Sequence, residues 1–140
     1  MSWPVLAMIS AVAAGATSVF AKAGLDEVPA QVGNAIRTAM VLGLTLVVVW
    51  WTGEHREVRT LGARTWMFLG LSGVATAVSW VAFFQALERG PATPVTAIDK
   101  ASVVVTMLLG AWFLGEHLTW RGGAGIALVV IGAWLAASAE

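Results

Sequence analysis

The sequence predicts an all-α integral membrane protein with five transmembrane helices, and three observations carry that prediction. Of the 140 residues, 59% are hydrophobic and 11% are charged, with a mean hydropathy of +0.82. A soluble domain carries about 25% charged residues, so this chain has too little polar surface to cover a globule in water. Apolar segments long enough to cross a bilayer, which takes about 20 residues, recur five times. Finally, Trp3, Trp50, Trp51, Trp66, Trp112 and Trp120 all fall on the side of the N-terminus when the chain crosses five times. Tryptophan prefers the bilayer interface, so this clustering supports the count.

The first span covers residues 3–21. It opens on Met1-Ser2-Trp3-Pro4 without a basic run and reaches Lys22 without a small-residue cleavage site, so it reads as a retained span rather than a signal peptide. The second span, 30–52, follows a connection carrying Asp26 and Glu27. The third, 65–87, follows the longest and most charged connection, residues 53–64. The turn Glu88-Arg89-Gly90-Pro91 leads to the fourth span, 94–114, and Gly115-Glu116-His117 leads to the fifth, 118–137. Backbone groups in hydrocarbon must be satisfied within their own segment, so each span is a helix. The alternation and aromatic girdles of a membrane barrel are not seen. With short connections and no internal repeat, residues 1–140 read as a single transmembrane domain, expected in the cell (inner) membrane. Arg56, Arg59, Arg64 and Arg121 lie on the tryptophan-rich side, against Lys22, Arg89 and Arg37 on the other. That bias is weak enough for the chain to insert both ways.

Composition also narrows function. A net charge of zero argues against a nucleic-acid partner. The lack of cysteine leaves no disulfide, thiolate metal site or cysteine nucleophile. His55 and His117 sit in connections without metal-ligand spacing and read as solvated, and Glu116 reads as topping a helix end. With no nucleophile–base pair, metal cluster or phosphate loop, neither enzyme activity nor a cofactor or metal is expected.

Arg37, Asp99 and Lys100 lie inside spans, whereas Arg121 stands at the interfacial start of the fifth. Near mid-membrane each costs roughly 2.5 to 3.5 kcal/mol on insertion scales, so each calls for a partner, a watery cavity or a route to the interface. Arg37 and Asp99 lie at similar depth from the same side, as do Ser79 and Trp80 of the third span. Polar residues also share helical faces: Asn34, Arg37 and Thr38, with Thr45 beyond; Ser72, Thr76 and Ser79; Asp99, Ser102 and Thr106; Ser10 and Thr17. Such stripes either line a common cleft or hold helices together. Arg37 and Asp99 are expected to couple across a cavity between the second and fourth spans. Lys100 is expected about 100° round from Asp99, since adjacent helical residues do not share a face, with a stem able to snorkel to the interface. The candidate substrate-binding residues are therefore Arg37, Asp99, Lys100, Asn34, Thr38, Ser79 and Trp80.

The second half carries a further pattern. Phe84-Gln85-Ala86-Leu87-Glu88-Arg89-Gly90-Pro91-Ala92 precedes a span ending in Phe113-Leu114-Gly115-Glu116, and Gly122-Gly123-Ala124-Gly125 opens a Gly-rich span that continues to Gly132. This resembles the EamA-like domain of the drug/metabolite transporter superfamily, over essentially all five spans. Most members carry two such domains in tandem, so the resemblance implies one half of a ten-helix inverted-repeat transporter architecture, in a short single-domain subgroup. Ala97-Ile98-Asp99-Lys100 stands where many members have a proline. The small multidrug resistance proteins of the same superfamily bind cations through a glutamate in the first span; here that span has no Asp or Glu, and the intramembrane charges sum to plus one. An anionic or zwitterionic substrate fits better than a lipophilic cation.

An odd number of spans makes consecutive repeats antiparallel, and inverted repeats enclose the site between them. A five-span unit is therefore expected to pair with a second copy or a related subunit. Gly125 and Gly132, seven residues apart on the fifth span, offer a close-approach surface for that dimer. The sequence thus points to a secondary-transporter half-unit moving a small polar metabolite by alternating access as an antiparallel dimer. The alternatives are a subunit of a polyprenyl-phosphate-linked lipid flippase and a non-transporting membrane assembly protein.

Overall fold

The computed structural model describes residues 1–117 and 119–138. Among these the chain is helical, with α1 at Trp3–Gly24, α2 at Ala30–Thr52, a 3-10 helix at Glu54–Thr60, α3 at Ala63–Arg89, α4 at Ala92–Asp99, α5 at Ser102–Phe113 and α6 at Trp120–Ser138. Helices α1, α2, α3 and α6, together with the Ala92–Phe113 pair α4–α5, are each long and apolar enough to cross a membrane. The five expected spans are present. Leu118, the expected start of the fifth, lies outside the described residues.

The chain divides into two compact units. One comprises Gly24–Glu88 and is built on α2, the 3-10 helix and α3. Its buried side chains gather at one end, where Leu25, Ala30, Phe84 and Leu87 are all at most 9% exposed. The Gly33 backbone comes close enough there that an added Cβ would stand 2.8 Å from Leu25 Cδ2 and 3.6 Å from a Phe84 ring carbon. The same end is tied by a hydrogen bond. Pro29 precedes α2 and offers no side-chain cap; instead the Ala30 N–H donates to Glu88 Oε1 at 3.0 Å. The carboxylate satisfies one of the donors that every helix start leaves open, and it sits at the end where a helix dipole favours negative charge. At the other end of α2, Gly53 takes φ +77° and its N–H reaches the Trp50 carbonyl. That left-handed turn sends the chain into the 3-10 helix, which lies within the connection expected over residues 53–64.

The other unit comprises Met1–Ala23 and Arg89–Glu140. The backbones of α4 and α6 run close together, which the Gly- and Ala-rich sequence of α6 permits. Thr119 caps α6 by accepting from the Gly122 N–H at 3.1 Å. Between α5 and α6, Gly115 adopts φ +68°. This lets the Glu116 N–H fold back to the Gly110 carbonyl at 3.2 Å. A Cβ on the buried Gly110 would lie 2.8 Å from Glu116 Oε2, so the absent side chain at Gly110 is what makes room for that carboxylate.

The expected fourth span is not one continuous helix. At Lys100 and Ala101 the α-helical pattern lapses between α4 and α5. The Ala101 N–H reaches Ile98, the Val103 N–H reaches Lys100 and the Val104 N–H reaches Ala101, at 2.9 to 3.1 Å. These i to i+3 bonds are a 3-10 tightening, which inside a helix often marks a hinge or a functional position. No proline is involved.

Candidate functional site

In the Gly24–Glu88 unit, one face of α2 and one face of α3 form an open cleft of about 530 Å³. Gln31, Asn34, Ala35 and Thr38 line it from α2, and Gly73, Thr76, Ala77, Trp80 and Val81 from α3. Each set follows the three- and four-residue steps of a single helical face. Gly73 and Ala77 supply the room, and the amide and hydroxyl residues supply hydrogen-bonding groups. Thr38 Oγ1 donates to Asn34 Oδ1 at 3.5 Å, and Gln31 Nε2 donates to the Val81 carbonyl at 3.3 Å.

Arg37 adjoins this cleft. Its guanidinium carbon stands 3.5 Å from the centroid of the Trp80 ring and 5.8 Å from that of Phe84. A cation this close to an indole face is held by the ring quadrupole, worth about 2 kcal/mol where water is excluded. Trp80 is in turn braced edge-on by Phe83, with ring centroids 5.3 Å apart. Cation–π contact leaves the guanidinium positive. Its planar fork of N–H donors stays suited to a carboxylate or phosphate.

The structure thus brings together Arg37, Trp80, Asn34 and Thr38. Ser79 is exposed and does not line the cleft; it lies one residue out of phase with the Gly73, Thr76, Ala77 and Trp80 face. Gln31 and Phe84 are members that sequence reasoning missed. The spacing of Gln31, Asn34 and Thr38 was the available signal for the first. For several of the predicted stripes the hydroxyls turn inward on their own helix. Thr17, Thr45, Thr76 and Thr106 donate to the carbonyls four residues back, at 2.8 to 3.3 Å, a local bond that leaves little to offer a neighbouring helix.

Asp99 and Lys100 belong to the other unit. The expectation that these adjacent side chains diverge is corrected: Lys100 Nζ meets Asp99 Oδ2 at 3.3 Å. A 3-10 step sets adjacent residues about 120° apart, so it is the flexible lysine stem that reaches back to the carboxylate. Lys100 also closes a cleft of about 330 Å³ lined by Gly15, Ser18 and Val19 of α1 and by Ala92, Thr93, Thr96 and Ala97 of α4. Thr96 Oγ1 is buried there without a hydrogen-bond partner. A Cβ at Gly125 or Gly132 would meet nothing within 4 Å, so the face of α6 carrying them is open. His55, expected to be solvated, is half-buried and stacks on Trp50 at 4.7 Å and 14°. Among the described residues no group of three or more His, Asp or Glu is placed to hold a metal ion.

The sequence pattern of the EamA-like transporter family matches residues 1–138. A Sinorhizobium sp protein named "Uncharacterized transporter in cobO 3'region" is 40% identical over 136 residues, which is 97% of this chain and 96% of that relative. Two proteins of Bacillus subtilis (strain 168) are more distant and longer. "Uncharacterized transporter YwfM" is 27% identical over 133 residues, 91% of this chain and 44% of the relative. "Uncharacterized transporter YojE" is 24% identical over 90 residues, 64% of this chain and 30% of the relative. The chain therefore matches less than half the length of either Bacillus protein. No solved structure matches.

Proposed function

Because the chain belongs to the EamA-like transporter family, we propose that it is a secondary-transporter half-unit. In this reading it moves a small anionic or zwitterionic metabolite by alternating access as an antiparallel dimer in the cell's inner membrane. That it is a multi-pass membrane transporter follows from the family and from five membrane-spanning segments; the rest is inferred from its side chains.

The observation that carries the substrate class is Arg37 stacked on Trp80 beside a cleft of neutral hydrogen-bonding groups. It is the one charged residue of α2, and α3 carries charges only at its ends, Arg64, Glu88 and Arg89. An intramembrane positive charge held by an aromatic face, rather than by a carboxylate, is completed by the negative group of a substrate. Asn34, Thr38 and Gln31 would then read the remainder of the molecule. Asp99, on the 3-10 break and paired with Lys100, is the candidate coupling carboxylate, since broken helices in transporters expose backbone carbonyls to ions.

Purified protein in proteoliposomes on a solid-supported membrane tests the substrate class. Saturable currents or counterflow are expected with carboxylate-bearing or zwitterionic metabolites. Saturable transport of lipophilic cations alone would overturn the reading.

The dimer has its own test. The open face at Gly125 and Gly132 supports a second copy docking against α6. Gly125→Leu and Gly132→Leu are expected to weaken self-association in native-like lipid by holding the backbones apart. Unchanged dimer in both variants points to another interface.

A further inference from the structure

The 3-10 helix Glu54–Thr60 sorts its charges in a way an α-helix would not. With three residues per turn, side chains three apart eclipse one another. The sequence Glu54-His55-Arg56-Glu57-Val58-Arg59-Thr60 therefore falls into three rows. Glu54 and Glu57 form an acidic row, Arg56 and Arg59 a basic one, and His55 stands above Val58. Among the described residues neither arginine pairs with Glu54 or Glu57. His55, Arg56 and Arg59 together line a hollow of about 490 Å³ without an acidic member.

His55 adds a donor to this basic set. Its ring is pinned on Trp50, and Nδ1 is buried without a hydrogen-bond partner. A buried N–H with no acceptor is costly, so this placement favours the tautomer with its proton on Nε2. The hollow thus combines two guanidinium groups with an imidazole donor. Its place in the chain fixes its level. The 3-10 helix joins the ends of two membrane-spanning helices, α2 and α3, and exposed Trp50, Trp51 and Trp66 flank it. Tryptophans of this kind mark the headgroup region.

We propose that His55, Arg56 and Arg59 form a seat for the headgroup of an anionic phospholipid, with the phosphodiester held by the arginine row. The acidic row stands off the hollow, so the seat keeps its field although the segment as a whole carries both signs. Zwitterionic lipid offers the same phosphate but its ammonium cancels the attraction, so the seat discriminates by net charge. This site is distinct from the Arg37 cleft and stands independently of the transport reading.

The test uses the full chain in phosphatidylcholine nanodiscs doped with phosphatidylglycerol. Native mass spectrometry after release counts the phosphatidylglycerol retained per protein. Each arginine near an anionic surface contributes about 1 kcal/mol, which at 1.4 kcal/mol per tenfold is about fivefold. Arg56→Gln alone is therefore expected to lower preferential retention about fivefold, and Arg56→Gln with Arg59→Gln on the order of 30-fold. Glu54→Gln with Glu57→Gln should leave retention unchanged. Circular dichroism in the same discs confirms helicity, and the single variants keep the test open if the double variant does not fold. Retention unchanged in the arginine variants overturns the proposal. So does displacement of the lipid by inorganic phosphate at constant ionic strength, which would make free phosphate the ligand. A gain in the glutamate variants as large as the loss in the arginine variants overturns it too, since net loop charge would then act, and not a row.

Discussion

Arg37→Gln is expected to abolish saturable transport while the protein still inserts and folds. Glutamine keeps hydrogen-bonding capacity and most of the length but removes the positive charge. Losing one partner of a desolvated charge pair costs about 2 to 5 kcal/mol, so substrate affinity should fall at least 30-fold. Arg37→Lys separates charge from shape. Lysine restores the charge but not the flat fork that stacks on Trp80 3.5 Å away, and partial recovery is expected. Trp80→Phe should be milder than Trp80→Ala, because a smaller aromatic face still attracts the cation. Transport kinetics in proteoliposomes check all four variants. Wild-type affinity in Arg37→Gln would remove Arg37 from the site.

Phe84→Ala should be the most destabilising single truncation in the Gly24–Glu88 unit. Phe84 is 2% exposed, lies beside the Gly33 backbone and stands 5.8 Å from the Arg37 guanidinium. In a soluble core such a change costs about 3 to 5 kcal/mol. Lipid is as apolar as the side chain, so the transfer part is missing and packing remains; about 2 kcal/mol is the expected loss. Val74→Ala, at a residue 64% exposed in the same helix, is the control and should change stability by less than about 0.5 kcal/mol. Detergent-titration unfolding measures both. Equal effects would mean that the cluster at the Glu88 end holds nothing together.

The five spans were legible because hydrocarbon imposes a length and a polarity that the chain cannot disguise. Arg37 and Trp80 were legible as partners in depth, since both lie at similar distance from one side of the membrane. Their stacking was not, because a cation–π contact needs the rotation of two helices to be known. Ser79 was chosen for its depth and its stripe with Ser72 and Thr76, whereas the face that lines the cleft is set by small residues at Gly73 and Ala77 with Trp80. The Asp99–Lys100 pair stayed hidden because the divergence of adjacent helical positions does not limit where a long lysine stem can reach. The carboxylate of Glu88 on the Ala30 N–H joins residues 58 apart in sequence, a contact with no local signature. The charge rows of the 3-10 helix depend on a three-residue turn that the sequence could not distinguish from an irregular loop.

The lapse between α4 and α5 has a consequence for biogenesis. Helix α4 is eight residues long and packs closely on α6, which follows it in the chain. While the ribosome has delivered only the first four spans, α4 lacks that neighbour. Its polar end, Asp99 with Lys100, then lacks the α6 packing that holds it in the finished chain. Docking of α6 is expected to set the depth of that end after synthesis of the fifth span. A nascent chain arrested before Trp120 should therefore leave Asp99 and Lys100 at variable depth, and only on release of the last helix should they settle at one level.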